Sequence, residues 1–162
     1  MNAYFNMYLG TELKDKLDTK TLNFALLGLV TGSIYNILWM NKTTQIIAES
    51  TKTKLVDNTY IIWVSVCLGM SYLLSGTGDE IVSILSGILT IASMVLHVVW
   101  AFKARAALTS YALNEHRIDL KMNAFYTIIF HVFYINYCIN DLPEADRKQR
   151  ILSGQTSPAV ER

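Results

Sequence analysis

Apolar residues fall into four long blocks that polar, charged segments separate. The blocks cover residues 22–40, 59–78, 81–102 and 122–140, and none of them contains Asp, Glu, Lys or Arg. Each block is close to the ~20 residues that a helix needs to cross a bilayer. Hydrocarbon accepts a helix because its backbone groups bond to one another, so this segregation of charge predicts an all-α integral membrane protein.

The two central blocks organise the rest of the chain. Only the acidic pair Asp79-Glu80 lies between them, and residues 75–78 before it (Ser-Gly-Thr-Gly) favour a turn. We therefore predict a transmembrane helical hairpin, flanked by the first and last apolar blocks in a polytopic helical bundle.

The number of crossings stays open between two arrangements. Lys and Arg number three before the first block, three after it, none in the Asp79-Glu80 turn, four after the third block and four in the tail. Four full spans would divide these residues equally between the two sides, and the positive-inside rule would give no orientation. Two spans with re-entrant or interfacial outer segments would place every basic loop in the cytoplasm, and Gly32-Ser33 could break the first block.

The outer blocks resemble each other. Ile34-Tyr35 followed by Asn41 matches Phe133-Tyr134 followed by Asn140 at one constant offset. A match of this kind indicates a duplicated element on either side of the hairpin. Three tryptophans, Trp39, Trp63 and Trp100, all fall at the same interface, as in an aromatic belt.

The flanking segments differ in character from the blocks. Residues 1–21 are predicted to form an amphipathic or interfacial segment, and residues 22–142 the membrane helical domain. Residues 143–162 form a polar tail, with disorder expected from about Ser153.

Polar residues within the third block share one helical face. Together with polar residues of the last block they form a candidate intramembrane stripe: Ser83, Ser86, Thr90, Ser93, His97, His131, Asn136 and Asn140. Lipid penalises polar groups, so the stripe should face protein or water. One interpretation is a packed seam against the preceding helix, whose own small and polar face is Ser65, Gly69, Tyr72 and Gly76. The other is a polar path or ligand groove that ends at His97.

Small residues at helical spacing are candidates for close helix packing. Gly28 and Gly32 lie four apart in the first block, and Gly69 and Gly76 lie on one face of the second. Such spacing lets two helix backbones approach in lipid.

Composition excludes several classes of function. Charged residues make up 17% of the chain, below the ~25% of ordinary soluble domains. The net charge of +1 predicts no nucleic-acid partner. The sequence carries no nucleophile motif, phosphate-binding loop or ligand spacing for a metal, so we expect neither an enzyme nor a cofactor. Cys67 and Cys138 both lie inside apolar blocks, as small buried residues do.

Two stretches resemble a known family. Thr31-Gly32-Ser33-Ile34-Tyr35 with Trp39, and residues 134–142 (Tyr-Ile-Asn-Tyr-Cys-Ile-Asn-Asp-Leu), are similar to the signatures of the DUF4234-type family of small bacterial membrane proteins. The resemblance implies residence in a bacterial inner membrane and no assigned activity.

The sequence thus predicts a non-catalytic membrane protein that acts through helix and protein contacts, as a small subunit or accessory factor of a membrane complex. Its expected partners are the lipid bilayer and other membrane subunits or further copies of itself. The alternative is a small oligomeric channel or transporter with a path lined by Ser, Thr and His.

Overall fold

The computed structural model describes residues 9–152, which form six α-helices and no strand. The helices are α1 (Leu9–Leu17), α2 (Thr21–Val30), α3 (Ile34–Thr51), α4 (Asn58–Ser75), α5 (Glu80–His116) and α6 (Ala124–Leu152). The all-α prediction is confirmed for this part of the chain.

The central hairpin consists of α4 and α5. These are the two described helices long and apolar enough to cross a membrane, over Asn58–Ser75 and Glu80–Asn114. The Asp79 carboxylate accepts hydrogen bonds from the backbone N–H groups of Ile81 and Val82 at 2.9 and 3.1 Å. A carboxylate in this position caps the helix and complements its dipole, so it fixes the start of α5.

The first apolar block does not form one continuous helix. It breaks between α2 and α3, where Gly32 and Ser33 adopt φ values of 56° and 69°. The rings of Phe24 and Trp39 then come within 4.6 Å of each other, whereas a straight helix would separate these positions by roughly 22 Å. The block is therefore a helical hairpin that folds back on itself.

The last block is also bent. His131 lies inside α6 with φ 29° and ψ −107°, outside the helical region. The Tyr134 hydroxyl accepts a hydrogen bond from the Asn123 backbone N–H at 2.8 Å, although a straight helix would place these residues roughly 16 Å apart. The segment before His131 therefore folds back over the segment after it.

The structure agrees with the predicted duplication. The offset that aligns Tyr35 with Tyr134 also aligns the break at Gly32 with the bend at His131. The buried positions that follow coincide at the same offset: Asn36 and Ile135, Ile37 and Asn136, Trp39 and Cys138, Met40 and Ile139, Thr43 and Leu142. Both outer blocks are thus a short helix, a break and a longer helix with the same inward face.

Aromatic side chains form the centre of the core. Phe24 contacts Trp39 and Phe133 at ring distances of 4.6 and 4.9 Å, and Trp39 meets Trp100 edge-on at 5.9 Å. Trp39 and Trp100 are 3% and 0% exposed, so two of the three tryptophans of the predicted belt lie in the core. Trp63 alone among the three is exposed, at 60%.

The ends of the described chain belong to the same helical body. Leu13 and Leu17 of α1 are buried, and α1 packs on α3 and α6. α6 continues through Pro143 to Leu152, beyond the predicted boundary at 142. Residues 1–8 and 153–162, including the predicted disordered tail, lie outside the described residues.

Candidate functional site

The predicted polar stripe on α5 divides into buried and exposed positions. Ser86, Ser93 and His97 are buried, whereas Ser83 and Thr90 are exposed. The buried members lie on the face of α5 that meets the other helices, and the apolar residues between them point outwards. The exposed hydroxyls bond within α5 itself, from Thr90 to the Ser86 carbonyl at 2.9 Å and from Ser83 to the Asp79 carbonyl at 2.8 Å.

One hydroxyl of the stripe joins α5 to α4. The Ser86 hydroxyl donates to the Ser71 backbone carbonyl at 2.8 Å, and both residues are buried. This bond is the kind of polar contact that holds two helices together in lipid. It fits the interpretation of the stripe as a packed seam.

The partner face on α4 is not the predicted one. The buried residues of α4 are Ile61, Val64, Cys67 and Ser71. The predicted small and polar face points outwards instead: Ser65, Gly69, Tyr72 and Gly76 are all exposed. α5 therefore packs on the β-branched and sulfur-containing face of α4, whereas the glycine-bearing face is exposed except where the Tyr72 hydroxyl reaches the connection between α2 and α3.

The space around the glycines agrees with this division of α4 into a buried face and an exposed face. A Cβ atom at Gly69 or Gly76 would meet nothing within 4 Å. A Cβ at Gly28 would lie 2.5 Å from Asn36 Oδ1, so that glycine allows α2 to approach α3. Gly32 adopts a positive φ, which glycine accepts without strain, and its carbonyl accepts a bond from the Tyr72 hydroxyl at 3.2 Å.

Two histidines from separate helices come together. The ring centroids of His97 and His131 lie 5.7 Å apart. His97 Nδ1 lies 2.8 Å from the Ser93 carbonyl oxygen, and since a carbonyl only accepts, Nδ1 carries the proton. Nδ1 of His131 is buried and has no hydrogen-bond partner among the described residues. The sequence placed these residues in one stripe, and the bend in α6 is what makes them neighbours.

Asn136 and Asn140 serve a different purpose from the histidines. The Asn136 side chain accepts from the Thr21 hydroxyl at 2.9 Å and donates to the Thr19 carbonyl at 3.2 Å. The Asn140 amide donates to the same Thr19 carbonyl at 2.9 Å. This network anchors the connection between α1 and α2 onto α6, and the polar groups satisfy one another in the core.

Sequence reasoning missed the residues that complete these contacts. Thr19 and Thr21 belong to the segment that was predicted only as amphipathic or interfacial. The Thr44 hydroxyl accepts the Trp100 indole N–H at 2.8 Å, and Lys42 donates to the Leu17 carbonyl at the end of α1 at 3.1 Å. No local pattern signals these bonds, because each joins residues distant in the chain.

Two charged pairs lie on exposed helix surfaces. Glu12 and Lys16 pair at 2.8 Å, and Glu144 and Lys148 at 2.9 Å. The Lys148 ammonium donates to the Glu144 carboxylate and thereby lowers the pKa of that carboxyl group. Exposed pairs of this kind contribute little to stability. Within residues 9–152 no group of three or more His, Cys, Asp or Glu side chains is arranged to hold a metal ion.

Together these features define an all-α protein with two helices that could span a membrane and two outer segments that fold back. No protein-family model matches the chain, and neither a curated protein nor a solved structure gives a significant match. The resemblance to the DUF4234-type family therefore stays a prediction.

Proposed function

We propose that this chain is a non-catalytic helical membrane protein that acts through helix contacts, as a small subunit or accessory factor of a membrane complex or by self-association. The observation that carries the proposal is the outward face of α4. Ser65, Gly69 and Gly76 leave an open strip of backbone on a helix that could cross a membrane. Small residues favour helix association in lipid because two backbones can come close together.

The surface around this strip supports a membrane environment. Large apolar side chains on α4 and α5 are exposed along both helices: Ile62, Trp63, Val66, Met70, Leu73, Ile81, Ile84, Leu85, Ile88, Ile91, Met94, Val95 and Val99. An apolar surface this extensive is not left in contact with water in soluble monomers.

We further propose that only α4 and α5 cross the membrane and that both outer blocks are re-entrant. The break at Gly32 and the bend at His131 each return the chain toward the side from which it came. All basic segments then lie in the cytoplasm and the Asp79-Glu80 turn lies outside. Location in a bacterial inner membrane is the part of this proposal that rests on the family resemblance alone.

Cysteine labelling tests the number of crossings. Single cysteines at Lys20, Lys52, Thr77 and Asn114, in a chain whose two native cysteines are replaced by Ala, would be probed with a membrane-impermeant maleimide. Two spans place position 77 alone on the outer side. Four spans would place positions 20 and 77 together on one side, and that result would overturn the proposed topology.

The association itself is tested by extraction in mild detergent and native mass spectrometry. The wild-type chain should run as an oligomer or carry a partner, and Gly69→Leu should release it as a monomer. Gly87→Leu is the matched control, because Gly87 also has nothing within 4 Å but lies on α5. A wild-type chain that is a lone monomer, with no companion protein, would refute the proposal.

The approach of His97 to His131 favours a second candidate function, an oligomeric channel or transporter. In that case the buried Ser93 and His97, with His131, would line part of a polar path. Replacing Ser93 and His97 by Ala should then reduce flux in liposomes. Unchanged flux would remove this alternative.

A further inference from the structure

A basic cleft lies where the connection between α3 and α4 packs against α5. It consists of two adjoining open grooves of about 330 and 410 Å³ that share Lys54, Leu55 and Lys103. Thr53 and Ser110 line one end, and Tyr60 and Trp63 line the other. These volumes fall within the range of about 300–1,000 Å³ that ligand sites occupy. We call this the Lys54–Lys103 cleft.

The charge in the Lys54–Lys103 cleft is positive. Lys54 forms an ion pair with Asp57, the one carboxylate among the lining residues. Lys103 has no carboxylate within ion-pair distance among the described residues, and its ammonium lies 6.0 Å from the centre of the Tyr60 ring. One lysine is thus left with an aromatic neighbour in place of an anion.

The aromatic wall is held in place before any ligand arrives. The Tyr60 hydroxyl donates to the Leu96 carbonyl of α5 at 2.5 Å, which fixes the ring between the two helices. Trp63 lies one turn further along α4 and is 60% exposed. An amphipathic ring in this position is typical of the level of the lipid head groups.

The order of groups along the cleft matches one class of ligand. Thr53 and Ser110 lie at one end, the two lysines lie in the middle, and Tyr60 and Trp63 lie at the other end together with Thr59. We propose that the Lys54–Lys103 cleft binds an anionic phospholipid, with its phosphate between Lys54 and Lys103, its polar head toward Thr53 and its acyl chains beside Trp63. This inference rests on the proposed membrane position of α4 and α5.

A phospholipid fits better than a soluble phosphate ester because of where the cleft opens. A soluble anion would gain nothing from a cleft that continues onto the apolar face of α4. A lipid phosphate is delivered at the head-group level, where basic residues meet anionic lipids. The end of the cleft at Thr53 would therefore hold the polar head of the lipid, and the end at Trp63 would lie beside its acyl chains.

Trp63 supplies the probe for a test. The protein would be placed in vesicles of phosphatidylcholine and phosphatidylglycerol at one fixed composition, with bromine carried by only one of the two lipids. Bromine quenches tryptophan at contact, and the buried Trp39 and Trp100 contribute little. Trp63→Phe should abolish most of the quenching and so establish the source of the signal.

Brominated phosphatidylglycerol should quench about two-fold more than brominated phosphatidylcholine, which reports preferential occupancy of the cleft. The double variant Lys54→Ala/Lys103→Ala should bring the two values together. The matched control Lys14→Ala/Lys121→Ala removes the same charge from exposed positions outside the cleft and should keep the difference. Lys103→Arg, which retains the charge, should also keep it.

The outcomes separate this inference from the proposed function. Equal quenching by both brominated lipids in the wild type would overturn the lipid site and leave the membrane position intact. Absence of quenching by either lipid would overturn both. If soluble glycerol phosphate abolished the difference in quenching between the two brominated lipids, the cleft would be a site for free phosphate esters. That result would also overturn the lipid assignment. The comparison of the two brominated lipids uses only the wild-type protein. It therefore tests the lipid site even if a lysine variant misfolds.

Discussion

The contact between Gly28 and Asn36 gives the sharpest prediction from the structure. Replacing Gly28 by Ala puts a methyl group 2.5 Å from Asn36 Oδ1 and 3.3 Å from its Cγ and Nδ2. Asn36 is 4% exposed, so its short side chain has little room to rotate away. Forcing one carbon into a packed interface costs about 1–3 kcal/mol. Gly28→Ala should therefore destabilise the hairpin of α2 and α3.

The steric cost can be isolated by comparison with Gly87→Ala. Gly87 is a glycine of α5 whose added Cβ would meet nothing within 4 Å, and it lies outside the face of α4 proposed for association. Gly87→Ala should be neutral or gain up to about 1 kcal/mol from the better helix propensity of Ala. The difference in the free energy of unfolding between Gly28→Ala and Gly87→Ala measures the steric conflict alone.

A double-mutant cycle identifies the conflicting atom. Asn36 Oδ1 is buried without a partner among the described residues, so Asn36→Ala should cost only about 1 kcal/mol. In the double variant the methyl group introduced at position 28 occupies the vacated space, and the two changes should compensate each other by about 1–2 kcal/mol. Unfolding would be followed by circular dichroism in mixed micelles of increasing dodecyl sulfate content. If Gly28→Ala proved as stable as Gly87→Ala, α2 would not fold back on α3 as described.

Three further changes test other parts of the fold by the same unfolding assay. Trp100→Phe removes the indole bond to Thr44 and should cost about 1–3 kcal/mol, and a loss under about 0.5 kcal/mol would contradict that bond. Asn136→Ala leaves the Thr21 hydroxyl without its acceptor and should cost a similar amount of about 1–3 kcal/mol. His131→Gly should be more stable than His131→Ala by about 1 kcal/mol, because glycine accepts the positive φ in the bend; equal stabilities would argue against that backbone conformation.

The central hairpin could be predicted because its signal is local. Two charge-free runs and the acidic turn at Asp79-Glu80 specify two long helices without reference to the rest of the chain. The break in the first block also has a local signal, since Gly32 tolerates the positive φ that a fold-back requires.

The bend at His131 has no such signal. No glycine or proline marks it, and although the offset between the two outer blocks aligns His131 with Gly32, a break at His131 was not predicted from the sequence. Without the bend, His97 and His131 could be assigned to a common polar surface but not to direct contact.

The orientation of α4 illustrates a general limit of periodicity. Helical spacing shows that Gly69 and Gly76 share a face, but it does not show which neighbour that face meets. In lipid, apolar and small residues can both form an interface, so the choice between the two faces of α4 has no strong sequence preference. In the structure α5 packs on the face of α4 that bears Val64 and Ser71.

The length of α5 has a mechanical consequence. Its 37 residues form one continuous helix of about 55 Å, against a hydrocarbon layer of about 30 Å. In the proposed topology the C-terminal part of α5 would extend beyond the hydrocarbon, and Ala104 and Leu108 of that part are buried in the core of the described chain. A tilt that a neighbouring helix imposes on the membrane part of α5 would therefore move this core with it, because no hinge separates the two parts of the helix.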